Sequence, residues 1–163
     1  MLMKSGNCFQ ALDNGKNSYI FQQACSHGVD KLFDYVQHKK LHVIVDGTFA
    51  SDNSIKNVER AMGRDRKIFI YFIYQDPAIA WKVAKGRELE EGRHIPRDVF
   101  IDAYYQSQKN VNRVKEEFQN TVKLNIIIRN IAKNREKRYE DIDNIDQYIK
   151  KIYTRDALVE KLL

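Results

Sequence analysis

Three short apolar runs, separated by stretches with helical spacing, constrain the fold of this chain most. They cover residues 41–46, 67–74 and 122–129 and are rich in β-branched and aromatic residues. Runs of this length bounded by polar residues are typical of buried strands. Since a helical pattern long enough for a crossover separates each run from the next, the sequence predicts that all three lie in one parallel sheet. The predicted class is α/β.

The stretches between these runs have apolar residues at helical spacing, with polar caps and a proline at suitable starting positions. Four helices are predicted, at 18–37, from 52 or 54 to 62, from Pro77 onward, and at about 97–120. Gly92 and Pro96 interrupt the helical pattern, so a bend or loop is expected between the third and fourth helices.

The two ends of the chain differ in pattern from its middle. Residues 1–16 have little periodic apolar content and are interpreted as an irregular leader. Residues 131–163 have helical spacing, with a second helix start at Thr154, and are interpreted as a helical tail. The domain proper is therefore expected to cover residues 17–130.

Composition limits the class of protein further. A length of 163 residues favours one domain, and no apolar stretch approaches the roughly 20 residues that a membrane span needs. The opening residues lack the features of a secretory signal, so we expect a soluble cytoplasmic protein without a membrane partner. A formal net charge of +6 favours anionic partners. Positive and negative residues are mixed along the chain, and the one basic run, at 133–138, fits a solvated helix face better than a nucleic-acid-binding arm.

The tripeptide Asp46-Gly47-Thr48 ends the first predicted strand. Ligands of parallel α/β sheets bind beyond the carboxyl ends of the strands. There an acid can hold a metal-bound water or a substrate hydroxyl, glycine allows close backbone approach, and threonine offers a hydroxyl to a ligand or a cap. A helix-capping loop without a ligand explains the same residues equally well.

A second candidate group consists of arginines around the predicted bend. Arg87, Arg93 and Arg97 are interleaved with glutamates there. Arginines on a mobile loop are suited to gripping phosphoryl oxygens during phosphoryl transfer. The alternative is a solvated turn whose arginines pair with the neighbouring glutamates. None of the four histidines has a partner at metal-ligand spacing, so the sequence predicts no metal site.

Taken together, these segments are more specific than any one of them. The chain resembles the zeta toxin family of P-loop kinases over residues 17–130. The resemblance rests, in order, on 43–49, 70–77, Ala80-Trp81, Arg87-Glu88, 92–96, Val99-Phe100 and Asn110-Val111.

The resemblance implies a partial P-loop kinase-like fold of three layers, with ATP and Mg as cofactors. Characterised members transfer the γ-phosphate of ATP to UDP-N-acetylglucosamine, so the implied partners are a nucleotide or nucleotide sugar and, in a toxin–antitoxin pair, an antitoxin. Asp46, Gly47 and Thr48 fall on the family's substrate-binding motif, and Arg87 and Arg93 match its two catalytic arginines that grip phosphate. The side chains of Asp46, Thr48, Arg87 and Arg93 are expected to face a common cleft.

The sequence departs from the family at two points. The phosphate-binding motif GxxGxGK[ST] is not present, because Lys16 of Asn14-Gly15-Lys16 is followed by Asn17 and no apolar strand precedes it. The family's catalytic aspartate also has no counterpart, since Asp13 lies in a polar stretch. We therefore expect a truncated or remnant kinase domain, inactive by itself, whose P-loop is supplied by a separate half.

Two other classes of function remain open at this point. One is a non-catalytic regulatory module that binds a nucleotide or a partner through the arginines without performing chemistry. The other is a basic nucleic-acid-binding protein driven by the net charge of +6. Steep loss of affinity with salt is the property that would identify the second.

Overall fold

A computed structural model describes residues 18–91, 94–130 and 135–163. The predicted leader at 1–16 lies outside these residues. The elements in chain order are α1 (Ser18–His38), α2 (Asp52–Met62), β1 (Ile68–Tyr74), α3 (Pro77–Glu91), α4 (Arg97–Phe118), β2 (Val122–Asn130), β3 (Arg135–Tyr139) and α5 (Arg155–Lys161). The predicted α/β class is confirmed. Within the described ranges, no helix is both long and apolar enough to cross a membrane.

The chain forms two compact units. Among the described residues, the first contains 18–46 together with 85–91 and His94, and the second contains 47–84 together with 95–130 and 135–163. Helix α1 belongs to the first unit. The sheet and helices α2, α4 and α5 belong to the second unit, so the architecture of the sheet can be described within the second unit alone.

The second unit has a mixed sheet in the order β1-β2-β3. Strands β1 and β2 pair in parallel, from Ile68 opposite Val122 to Tyr74 opposite Ile128. Their parallel arrangement confirms the pairing predicted for the second and third apolar runs. Strand β3 then pairs antiparallel with the end of β2, with Tyr139 opposite Ile126.

The prediction of a strand at 41–46 is wrong. The segment has no regular secondary structure, and its apolar side chains are exposed, with Ile44 exposed to 97%. A β-branched sequence favours an extended backbone, but a strand also needs a neighbour to pair with its amide and carbonyl groups. None of the described residues supplies such a neighbour to 41–46.

Strand β3 lies in the stretch predicted as a helical tail. Its residues, Arg135-Glu-Lys-Arg-Tyr139, are mostly charged and exposed. Their pairing with β2 overrides their weak intrinsic preference for strand, because β propensity depends strongly on context. The predicted helix start at Thr154 is confirmed, since its hydroxyl accepts a hydrogen bond from the Ala157 amide at 3.2 Å and caps α5.

The hydrophobic core of the second unit lies on one face of the sheet. Val114 of α4 packs with Ile55 and Val58 of α2 at the beginning of β2. Leu124 and Ile126 of β2 continue this core further along the strand, where the loop after β3 covers them. The second unit therefore has two of the three layers expected for the fold. These are the sheet and the layer of helices that covers one of its faces.

A buried amide links all parts of the sheet. Asn125 of β2 is 6% exposed, and its Nδ2 donates to the carbonyl of Ile70 on β1 at 3.3 Å. Its Oδ1 accepts from the amide of Asp141, just beyond β3, at 3.1 Å. Asp141 has a left-handed backbone with φ of 49°. The side chain thus joins β1 to the turn that follows β3.

We expect Ile126→Ala to lower the free energy of unfolding by about 2–5 kcal/mol, because Ile126 is fully buried and truncation leaves a cavity. Urea denaturation followed by circular dichroism measures the change. Ile44→Ala, which removes the same atoms from a side chain that is 97% exposed, is the matched control and should have almost no effect. Equal effects of the two substitutions would contradict the core described above.

Candidate functional site

The predicted substrate-binding tripeptide lies where the first unit ends and the second begins. Asp46 is the last residue of the first unit, and Gly47 and Thr48 open the second. All three are exposed. A Cβ added to Gly47 would meet no atom within 4 Å, so packing does not require glycine here. The role of Gly47 in the close approach of a ligand therefore stays a prediction.

The residue after the tripeptide is held in an unusual conformation. Phe49 has φ of 58°, in the left-handed region that non-glycine residues rarely adopt. Its carbonyl accepts a hydrogen bond from Nδ2 of Asn110 at 3.0 Å, and Asn110 Oδ1 in turn accepts from Gln106 Nε2 at 2.8 Å. Asn110 is only 2% exposed, and the Phe49 ring packs on the core. Helix α4 therefore fixes the backbone directly after Thr48.

Strained backbone of this kind persists only where surrounding contacts maintain it, and it concentrates at functional sites. Sequence reasoning noted Asn110 only as part of a family resemblance and assigned it no role. The contact joins residues 61 positions apart, which no local pattern reveals.

Arg87 lies on α3 and is exposed. Its neighbour Glu88 contacts Lys85 and His94, both within the first unit. Hydrogen bonds from Lys85 and then from His94 lower the pKa of Glu88 below its usual value. Glu88 is thus engaged by partners other than the arginine, and Arg87 forms no ion pair with any side chain that the structure describes.

The structure locates the candidate residues without placing them in one cleft. Asp46 and Arg87 belong to the first unit, and Thr48 belongs to the second. Gly92 and Arg93 lie outside the described residues. The common cleft of these side chains therefore stays a prediction.

The sequence analysis did not predict a polar cluster that lies at the carboxyl end of β1. The hydroxyl of Tyr104 donates to the carbonyl of Gln75 at 2.7 Å and also contacts Tyr74. Lys161 of α5 lies 3.5 Å from Asp76. Nε2 of Gln75 is buried and has no hydrogen-bond partner among the described residues. The carboxyl end of a parallel strand was the available signal, because ligands bind there.

Burial changes the pKa of both tyrosines in this cluster. Loss of solvent raises the pKa of Tyr104 well above its usual value, and the nearby Tyr74 raises it further. Burial likewise raises the pKa of Tyr74. Both phenols therefore stay protonated at neutral pH, and the Tyr104 hydroxyl donates a hydrogen bond to a backbone carbonyl, which suits positioning better than proton transfer.

A polar cleft of about 480 Å³ lies beside Gln119 and Asn120, shortly before the first residue of β2. It is lined by Asn112, Lys115, Glu116, Gln119, Asn120, Asp143 and Asn144. The ammonium of Lys115 is already bound by the carbonyls of Gln119 and Val122, at 3.2 and 3.1 Å. None of the predicted site residues lines this cleft, and we assign it a structural role.

Across residues 18–91, 94–130 and 135–163, no three His, Cys, Asp or Glu side chains group together in a way that could hold a metal ion. Magnesium in phosphoryl-transfer sites is commonly bound by one or two carboxylates together with substrate phosphates, so Mg binding stays a prediction.

Comparison with known families identifies the class of protein. The family model for zeta toxin matches residues 6–145 of this chain. Since this match covers most of the 163 residues, the chain belongs to the zeta toxin family, a family with a kinase-like P-loop domain. Searches of curated proteins and of solved structures found no match.

We expect Asn110→Ala to lower the free energy of unfolding by about 1–3 kcal/mol, since it leaves the Phe49 carbonyl without its buried donor. Urea denaturation measures the effect. Lys109→Ala, at an exposed position of the same helix, serves as the control. If both variants were as stable as the parent chain, α4 would not hold Phe49 in place.

The raised pKa of Tyr104 predicts loss of stability at alkaline pH. Below its usual pKa of 10.0 the phenol is protonated in both the folded and the unfolded chain. Above pH 10 the unfolded tyrosine ionises while the folded one does not, so the free energy of unfolding falls as pH rises. Tyr104→Phe should weaken this dependence between pH 9 and 11 in urea unfolding, whereas Tyr71→Phe, at an exposed position of β1, should leave it unchanged.

Proposed function

We propose that this chain is the acceptor-binding part of a zeta-toxin-type kinase, which phosphorylates a nucleotide sugar such as UDP-N-acetylglucosamine in the cytoplasm. The observation that carries the proposal is the segment Gly47–Thr48 of the second unit, which directly precedes the anchored residue Phe49, in a chain of this family. Its side chains are exposed, while Asn110 and the core hold the next residue, Phe49, in a strained conformation. A rigid support beneath exposed polar groups is what substrate positioning requires.

The proposed roles follow from the chemistry of each side chain. The carboxylate of Asp46 would accept a hydrogen bond from a sugar hydroxyl, and Thr48 would contact the same substrate through its own hydroxyl. Arg87 and Arg93 would bind phosphate oxygens through paired donors and neutralise charge in the transition state.

The residues present do not fit ATP and Mg binding on their own. The 163 residues contain no GxxGxGK[ST] motif, and the described ranges contain no group of metal-ligating side chains. We therefore derive no step through ATP or Mg from this chain alone. In the proposal both are bound by a P-loop segment that a separate half supplies, and an antitoxin is a further partner that this family context suggests.

The same observations favour a second candidate function. A chain that has exposed substrate-binding residues but no P-loop would bind a nucleotide or a partner protein. It would then act as a regulatory module and would not transfer phosphate. The two functions differ in one measurable property, because only the first yields phosphoryl transfer when a P-loop segment is added.

We expect the purified chain to transfer no phosphate from labelled ATP to UDP-N-acetylglucosamine by itself. Transfer should appear when an N-terminal fragment of a full-length zeta toxin, ending after the helix that follows its P-loop, is added. Arg87→Ala should lower the turnover of this mixture by about 10²–10³-fold, the effect of removing one charge-stabilising donor.

Arg113→Ala is the matched control for that experiment. Arg113 is also an exposed helical arginine, 3.7 Å from Glu117, and such surface pairs contribute little. Turnover by the chain alone that depends on Arg87 would show that a phosphate-binding loop exists within it. Binding of UDP-N-acetylglucosamine in calorimetry without transfer in the mixture would favour the regulatory function.

A further inference from the structure

Residues 146–163 lie beyond the part of the chain that the family model matches, which ends at residue 145. They are mostly irregular up to α5, and we call them the C-terminal strap. Helix α5 has seven residues, and helices this short are not stable in isolation. The strap therefore depends on the surface against which it packs.

The strap follows helix α4 in the opposite direction. Directly before the strap, the amide of Ile145 donates to Oδ1 of Asn112 at 3.0 Å. Further along, Nε of Arg155 donates to Oδ1 of Asp102 at 2.6 Å. The contacts move back along α4 as the chain advances, so the strap runs antiparallel to this helix and reaches its first half.

Apolar side chains of the strap cover the first half of α4. Ile101 of α4 and Leu158 of α5 are both fully buried. They form one cluster with Tyr153 and Leu162, each 7% exposed. Three of the four buried members of this cluster thus belong to the strap. The first half of α4 is therefore anchored mainly by residues outside the family match.

This half of α4 also orients the amide of Asn110. Gln106 lies one turn before Asn110, and its Nε2 donates to Asn110 Oδ1 at 2.8 Å. The Nδ2 of Asn110 donates to the carbonyl of Phe49 at 3.0 Å. Because each end of the amide has its own partner, the position of Gln106 determines how Asn110 meets Phe49.

We propose that the C-terminal strap is a positioning element for residues 47–49. It fixes the first half of α4 through Leu158, so that Gln106 and Asn110 hold Phe49, the residue directly after Thr48. The consequence for substrate binding rests on the proposed function, in which Thr48 contacts the substrate. The coupling between the strap and Phe49 does not rest on it.

Nuclear magnetic resonance of the full chain measures this coupling. Leu158→Ala leaves a cavity between α5 and α4, so amides of α5 should exchange with solvent about tenfold faster or more. The signals of the Asn110 side-chain amide and of the Phe49 backbone amide should shift or broaden in the same variant. Leu158→Met nearly conserves the volume and should restore both readouts towards those of the parent chain.

Two variants without a cavity keep the result interpretable if Leu158→Ala fails to fold. Arg155→Ala removes the ion pair with Asp102, and amides of α5 should then exchange about two- to fivefold faster. The Asn110 side-chain amide should shift in the same direction as in Leu158→Ala. Arg113→Ala removes another exposed ion pair of α4, with Glu117, and should leave the exchange of α5 unchanged.

Faster exchange of α5 with unchanged Asn110 and Phe49 signals would overturn the inference, because the strap would then only stabilise the fold. Calorimetry with UDP-N-acetylglucosamine decides the proposed function separately. Binding that weakens about tenfold in Leu158→Ala supports both proposals, whereas equal affinity of the two chains rejects the positioning role. If the parent chain does not bind this sugar nucleotide, the substrate role of Thr48 is rejected and the resonance signals still decide the coupling.

Discussion

The parallel ladder between β1 and β2 is the contact on which the rest of the second unit depends. It brings together residues more than fifty positions apart and creates the apolar surface that α2 and α4 cover. Once α4 is packed on this surface, its Asn110 is placed beneath the Phe49 carbonyl, and Tyr104 is placed at the carboxyl end of β1. Both polar arrangements thus follow from hydrophobic packing on one face of the sheet.

Local signals allowed the helices and two of the strands to be predicted. The runs at 67–74 and 122–129 combine β-branched residues with clear ends, and both form strands. The run at 41–46 has the same local signals but does not form a strand, and the charged 135–139 does. The difference lies in pairing, because the availability of a neighbouring strand is a property of the whole chain and is not visible in a short window.

The candidate site stays a prediction. Resemblance located Asp46, Thr48 and Arg87 on exposed segments, but the supporting contacts of Phe49 and the tyrosine cluster depend on side chains distant in sequence. Aromatic residues on regular faces are usually core, and Tyr74 and Tyr104 do pack there. Their hydroxyl groups reach polar partners at the strand end, which periodicity alone does not report.

The buried Asn125 has a consequence for how the chain selects one arrangement of its strands. The run from 122 to 129 is apolar at most positions, so many alignments with β1 would bury a similar area. In the observed alignment the amide has two partners, the carbonyl of Ile70 and the backbone amide of Asp141. A buried amide without partners costs about 1–3 kcal/mol, so this position accepts a polar residue only because both neighbouring segments bond to it. A single polar residue within an apolar strand therefore adds directional contacts, to β1 on one side and to the turn after β3 on the other, that hydrophobic packing alone does not supply.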